Sequence, residues 1–242
     1  MNKDPYVYEG TNVLINKLNI QDPDKLDKAE SDFASLAISH LRNSDFEVNS
    51  IYDFLGIHRR LSSALYGWAG KPRIIDIYKS EPLLGGKPID YVFASYIDTA
   101  LEELQKEFEA IDWDAFDPSA KIGKACHFAS ELWHIHPFRE GNARASAMAL
   151  YFLVKKAGLH ANIDFLSRNG KFFRNALVLS CCLYSASKTE YPLGIVSDSV
   201  TLKNKNSGKY ESIEGTEVKK YSYNHHTTDR LETIKKPADW KR

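Results

Sequence analysis

A mostly α-helical domain with one short β-hairpin is the fold class this sequence predicts, on three observations. Apolar residues recur at helical spacing in six successive segments. A single segment in the first 190 residues, Arg73–Lys79, is instead short, rich in Ile and bounded by Gly and Pro. Apolar residues make up 43% and charged residues 26% of the 242, the balance of a chain that buries a substantial core.

The elements follow in order. The first 22 residues are loop-like, with Pro5, Gly10 and the pair Asp22-Pro23, yet Tyr6, Tyr8, Val13, Leu14 and Leu18 predict an arm packed on the core. Leu26, Ala29, Phe33, Leu36, Ala37 and Leu41 define a helix from Asp24 to Leu41, capped by Asp22 or Asp24. Ile51, Phe54, Leu55, Ile57, Leu61 and Leu65 define a second over Ser50–Tyr66, ended by Gly67 and Gly70. After the extended Arg73–Lys79, a helix is expected from Pro88 to about Phe108. Asp117-Pro118-Ser119 opens the next, whose buried stripe runs through Ile122, Cys126, Ala129 and Trp133 to His136. Pro137 ends it, because the residue before a proline is pushed out of the α region. Another helix is predicted from Asn142 to Ala157, ended by Gly158, with Ala143, Ala145, Ala147 and Ala149 allowing close packing. A last one runs from about Arg168 to Ser187. Beyond Pro192 the chain turns polar, and Tyr210, Ile213, Val218, Tyr221, Tyr223 and Trp240 are its means of docking, with a short β element. The domain reading is therefore an arm with the first helix (1–50), a helical core (51–190) and a polar appendage (191–242).

Lys+Arg and Asp+Glu number 32 each, so there is no electrostatic footprint for nucleic acid and no nucleic-acid partner is expected. Cys126, Cys181 and Cys182 are an odd set with two adjacent, which is no disulfide framework and favours a reducing compartment. The start, MNKDPYVYEG, has no apolar signal region, and no stretch approaches the ~20 apolar residues of a membrane span. The expectation is a cytoplasmic protein with no membrane partner; secretion without a cleaved signal would leave no mark.

The chemically densest stretch is His136 to Arg144, HPFREGNAR, between two helices. Transfer of a phosphorus-containing group from a nucleotide needs a base near an incoming hydroxyl, a metal to bridge phosphates and donors for their oxygens. His136 can be the base, or a structural histidine kept protonated by a helix C-terminus. Glu140 can hold Mg²⁺ with phosphate oxygens, or be an acidic residue favoured in the first turn of a helix. Gly141, Asn142 and Ala143 offer successive amides to an anion, or are a Gly turn with an Asn cap. Arg144 can fork onto phosphate, or pair with a glutamate. Pro137 and Phe138 fix and anchor the loop in either reading. His127 and His134, seven apart, lack a third ligand at zinc spacing.

In this order the residues resemble the signature of the Fic family, H-x-F-x-(D/E)-G-N-G-x-x-R, more fully HPFx(D/E)GNGRxxR. His136, Phe138, Glu140, Gly141, Asn142 and Arg144 match it, and YVYEGTNVLINKLNI near the start is similar to the opening of many Fic proteins, so the resemblance spans about residues 6–190. It implies a Fic-type helical bundle with a β-hairpin flap beside the active-site loop. Arg73, Ile74, Ile75, Asp76 and Ile77 would be the flap that holds a target segment by strand addition. It implies an enzyme that moves AMP from ATP to a Ser, Thr or Tyr hydroxyl of a target protein and releases pyrophosphate. His136 would be the base and Glu140 the Mg²⁺ ligand. Gly141, Asn142 and Ala143 would cradle phosphates, Asn142 also through its side chain, and Arg144 would contact the β-phosphate.

Two positions depart from the signature. Ala143 stands where Gly is common, and Ala147 where many members carry a second arginine that grips the γ-phosphate and an inhibitory glutamate. The inhibitory pattern (S/T)-x-x-x-E-(G/N) is also absent, since Glu precedes Gly only at Glu9, Glu140 and Glu214. No built-in inhibitor is expected; an antitoxin-like inhibitory partner acting in trans occurs in part of the family. Ala147 leaves two alternatives open: a different nucleotide-linked donor, such as one for phosphocholine or another nucleoside monophosphate, or a non-catalytic module that binds nucleotide.

Overall fold

Asp22 accepts a hydrogen bond from the Lys25 amide at 3.0 Å, and Pro23 fills the first helical position, so helix α1 (Pro23–Arg42) starts at the cap the sequence offers. The computed structural model describes residues 4–162, 169–181, 200–203 and 210–212. Five more helices follow among them: α2 (Asp53–Ser62), α3 (Ile97–Glu109), α4 (Pro118–Ile135), α5 (Asn142–Lys156) and α6 (Gly170–Ser180). Asp117 caps α4 by accepting from the Ala120 amide at 2.9 Å, again with proline at the first position. No described helix is long and apolar enough to cross a membrane.

The antiparallel pair α4 and α5 forms the centre. Helices α2 and α3 pack on its sides, α1 packs on α2, and α6 touches α4. Small residues on α5 make the closeness with α4 feasible: Ala145 and Ala149 are fully buried between Met148, Leu150 and Leu153. A second, smaller cluster holds the N-terminal arm. Val13 and Leu14 lie with Leu26 of α1 and with Leu65, Tyr66 and Ala69, which follow α2.

Three expectations are revised. The helix expected from Pro88 begins at Ile97, after a 3-10 turn over Ala94–Tyr96, because residues 88–93 run extended beside the Arg73–Lys79 segment. The second helix is shorter than its apolar pattern and breaks into turns after Ser62. The hairpin is also reduced. Arg73–Lys79 bends at Ile74–Ile75 and forms no ladder; one antiparallel bridge, Ser80 to Pro88, closes the tip around the 3-10 turn Pro82–Leu84. Side chains cross the gap that main-chain bonds would otherwise fill. The Asp76 carboxylate accepts from the Ala94 amide at 2.7 Å, and the Arg73 guanidinium donates to Val92 O.

The described strands are elsewhere: β1 (His160–Ala161), β2 (Val200–Lys203) and β3 (Tyr210–Ser212), an antiparallel sheet in the order β1-β2-β3 that pairs His160 with Thr201 and Thr201 with Ser212. The polar tail thus contributes a β element, as its composition suggested. Both predicted ends of the last helix, Cys182 and the docking residues Ile213, Val218, Tyr221, Tyr223 and Trp240 lie outside the described residues.

Candidate active site

Helix α4 stops at His136 because Pro137 follows, and His136 itself turns into the left-handed region at φ 50°, ψ 55°. That conformation is costly for a residue with a side chain, and it persists here because the ring is fixed on every side. Tyr91 stacks on it at 3.8 Å between centroids, and Trp133 meets it edge-on at 5.4 Å. His136 Nδ1 lies 3.0 Å from the Trp133 carbonyl oxygen. A carbonyl only accepts, so Nδ1 carries the proton and Nε2 holds the lone pair. Nε2 is buried and has no hydrogen-bond partner among the described residues. Burial, together with the positive charge of Lys79, lowers the ring's pKa to about 3, although the Trp133 carbonyl and Glu140 act the other way. The helix end therefore does not keep this histidine charged; desolvation outweighs the dipole.

Phe138 plunges into the core with no exposure and stacks on His58 of α2 at 3.7 Å. Asn142 folds its amide back onto it: Oδ1 accepts from the Phe138 amide at 3.0 Å, and Nδ2 donates to the Phe138 carbonyl at 2.8 Å. The Asn142 side chain is thus engaged in closing the loop, not turned to the open side. Its backbone amide, with those of Ala143 and Arg144, starts α5 where no helical acceptor is available.

Glu140 is partly exposed. Burial would push its carboxyl up, but the ammonium of Lys79, 2.8 Å from Oε2, and the Gly141 amide, 3.1 Å from Oε1, hold it at about 2. A carboxylate kept ionised fits an Mg²⁺ ligand once Lys79 gives way, since that ion takes one or two protein carboxylates and completes its shell with phosphate and water. Arg144 points from α5 to α1, where its Nη1 is 3.1 Å from Glu30 Oε2, and the Tyr66 hydroxyl donates to the other Glu30 oxygen.

Of the five flap residues, the structure turns two inward. Arg73 is 2% exposed; its Nε donates to His136 O at 2.9 Å, its Nη1 to Ile75 O at 2.7 Å, and its amide to Pro137 O at 2.7 Å. Ile77 is in the core, and Ile75 packs against it. Ile74 and Asp76 face outward with Tyr78, and Ile74 is 75% and Tyr78 70% exposed. Together with Asp4, Ala94, Ser95 and Arg139 these residues line a cleft of about 710 Å³.

Four contributors were missed in the sequence. His58 donates from Nε2 to Glu140 O at 2.9 Å and accepts the Gly70 amide at Nδ1 at 2.9 Å; burial lowers its pKa to about 4. Its signal was a histidine inside the apolar stripe of Phe54, Ile57 and Leu61. Lys79 was visible only as the end of RIIDIYK, while Glu30 and Tyr91 are unremarkable in sequence.

The sequence model of the Fic/DOC family matches residues 49–154. The chain is 33% identical over 181 residues to a probable protein adenylyltransferase, y4lH, of Sinorhizobium fredii, covering 74% of this chain and 88% of that protein. It is 32% identical over 167 residues to the protein adenylyltransferase VbhT of Bartonella schoenbuchensis, covering 68% of this chain and spanning only about a third, 34%, of that relative. Among solved structures, the N-terminal Fic domain of a Bep effector from Bartonella sp. AR 15-3 superposes with a TM-score of 0.68 at 23% identity, over 81% of this chain and 90% of that one. BepC of Bartonella tribocorum, solved with bound AMPPNP, gives 0.66 at 21%, over 81% and 95%.

Proposed function

Because the chain belongs to the Fic/DOC family, we propose that it is a protein adenylyltransferase, joining AMP from ATP to a hydroxyl of a target protein. The observation that carries this is the state of His136. Its Nε2 holds the lone pair, is buried and has no hydrogen-bond partner among the described residues, where α4 gives way to the loop before α5. A neutral ring nitrogen with an open lone pair is what proton removal from a hydroxyl requires at this position.

His136 Nε2 takes the proton of a Ser, Thr or Tyr hydroxyl. The oxygen attacks the α-phosphorus, the bond from phosphorus to the bridging oxygen breaks, and pyrophosphate leaves. The amides of Asn142, Ala143 and Arg144 receive phosphate oxygens at the positive end of the α5 dipole. Arg144 has further N–H donors beside the one on Glu30, and these reach the β-phosphate. Glu140 would hold Mg²⁺, which would supply positive charge against the phosphates. The target segment adds as a strand to residues 74–79, whose amides from Ile75 to Lys79 have no partner among the described residues. Ile74, Asp76 and Tyr78 then flank it from the outer side.

Purified protein with Mg²⁺ and ATP labelled at either the α- or the γ-phosphate, incubated with a lysate, tests this. Transfer of the α-label alone, lost in His136→Ala, is expected. Transfer of γ-label, or α-labelling untouched by His136→Ala, overturns it.

A further inference from the structure

Three arginines around the motif already hold partners, and the remaining N–H donors of Arg144 are taken by the β-phosphate. Arg139 forks onto Asp4 Oδ2 at 3.0 and 2.9 Å, Arg144 lies on Glu30, and Arg73 is closed inside a cage of carbonyl oxygens. One turn beyond Arg144, where an i, i+3 neighbour would face the same anion, α5 carries Ala147 and no charge. Lys79 differs from all of these. It comes from the inward side of the extended segment, across the cleft from the motif, and its Nζ is 2.8 Å from Glu140 Oε2. Its side chain is 30% exposed, so the ammonium is reachable from solvent. An ammonium on a flexible stem is a mobile point charge with three donors, unlike a guanidinium fixed in a planar fork.

Glu140 cannot hold both this ammonium and a divalent ion without bringing two cations onto one carboxylate, where they repel. A displaced ammonium can then turn to the phosphate chain, the densest negative charge that a bound nucleotide would bring. We propose that Lys79 is a nucleotide-binding residue that exchanges partners: it sits on Glu140 in the nucleotide-free protein and moves to the outer phosphates of the donor when a divalent ion takes that carboxylate. It thereby supplies from the flap side the charge that α5 lacks at Ala147. The exchange rests on the nucleotide-transfer reading of the site, and it makes the flap a sensor of donor binding as well as a rest for the target.

The test is calorimetric and needs no turnover. AMP, ADP and AMPPNP are titrated with Mg²⁺ into the full chain, into Lys79→Met and into Lys79→Arg, and Mn²⁺ alone is titrated into the nucleotide-free proteins. Lys79→Met is expected to weaken AMPPNP by about tenfold or more, the scale of one hydrogen bond to a charged group. AMP should be affected less than AMPPNP, and Lys79→Arg should recover most of the loss. Mn²⁺ alone should bind Lys79→Met more tightly than wild type, because its competitor is gone. If Lys79→Met binds AMPPNP within about twofold of wild type, or weakens AMP and AMPPNP equally, phosphate binding by Lys79 is overturned. Unchanged Mn²⁺ affinity overturns the exchange. Wild-type protein that binds none of the three nucleotides overturns the nucleotide reading itself, a failure distinct from that of Lys79. Lys79→Gln, with melting temperatures measured alongside, replaces Lys79→Met if the latter unsettles the segment.

Discussion

The 3.0 Å contact between His136 Nδ1 and the Trp133 carbonyl oxygen decides which ring nitrogen carries the lone pair. The last turn of α4 supplies it from a carbonyl that has no helical partner. One bond therefore caps the helix and sets the tautomer. His136→Ala is expected to lower transfer by about 10²–10⁴-fold with the fold intact, measured by α-label incorporation beside circular dichroism.

The two buried histidines also set an acid limit on stability. His136 is lowered to about 3 and His58 to about 4, whereas unfolded histidine titrates near 6.5. Between those values the unfolded chain binds protons that the folded chain refuses, so stability falls as pH falls. At about pH 5, each histidine is expected to cost about 2 kcal/mol relative to pH 7. Denaturant titrations at both pH values check this, and His58→Gln should flatten the slope. A chain equally stable at both would mean that the rings are charged or exposed in the native state.

Gly141 and His58 are matched surfaces. Gly141 has φ 86°, and a Cβ there would meet His58 Nε2 at 3.0 Å, against the bond from that nitrogen to Glu140 O. Gly141→Ala is expected to destabilise by about 1–3 kcal/mol through the backbone strain. Because the strained peptide adjoins Glu140, transfer activity should drop further than the folded fraction does, read by activity normalised to native protein.

Arg73 binds the motif loop to the extended segment. Its guanidinium serves the carbonyls of His136, Ile75 and Val92, and its amide serves Pro137. Arg73→Lys keeps the charge but loses the fork geometry. It is expected to cost about 2–4 kcal/mol through unsatisfied buried carbonyls, seen as a lower denaturation midpoint. The surviving native protein should show a raised KM for target, because the flap is no longer tied to the loop.

Most of this fold was legible because its helices announce themselves locally. Asp22-Pro23 and Asp117-Pro118 are caps written in adjacent residues, and Pro137 and Gly141 mark the break between α4 and α5. HPFREGNAR was legible for the same reason as a chemically dense break between two helices. What was hidden are contacts between distant positions: Glu30 with Arg144, His58 with Glu140, and Lys79 with Glu140. No periodicity encodes these pairs, since they arise from how α1, α2 and the extended segment pack around α5. The hairpin was overestimated because Ile-rich composition reports an extended backbone but not whether a neighbouring strand is within reach. Here Arg73 and Asp76 span the distance in its place.

The ion pair between Glu81 and Arg174 ties the base of the flap tip to α6. Glu81 is wholly buried, its Oε1 is 2.5 Å from Arg174 Nη2, and its Oε2 has no partner among the described residues. Tyr91, which stacks on His136, lies in the field of this pair, and burial followed by the Glu81 charge pushes its phenol up. Removing only the cation leaves an uncompensated carboxylate inside the protein. Arg174→Met is therefore expected to cost about 3–5 kcal/mol. The double replacement Glu81→Gln with Arg174→Met should cost less than Arg174→Met alone, because no buried charge is left behind. A denaturant-melt cycle over the two single variants and the double measures this. A double variant at least as unstable as the sum of the singles would mean that the pair's worth is packing and not charge.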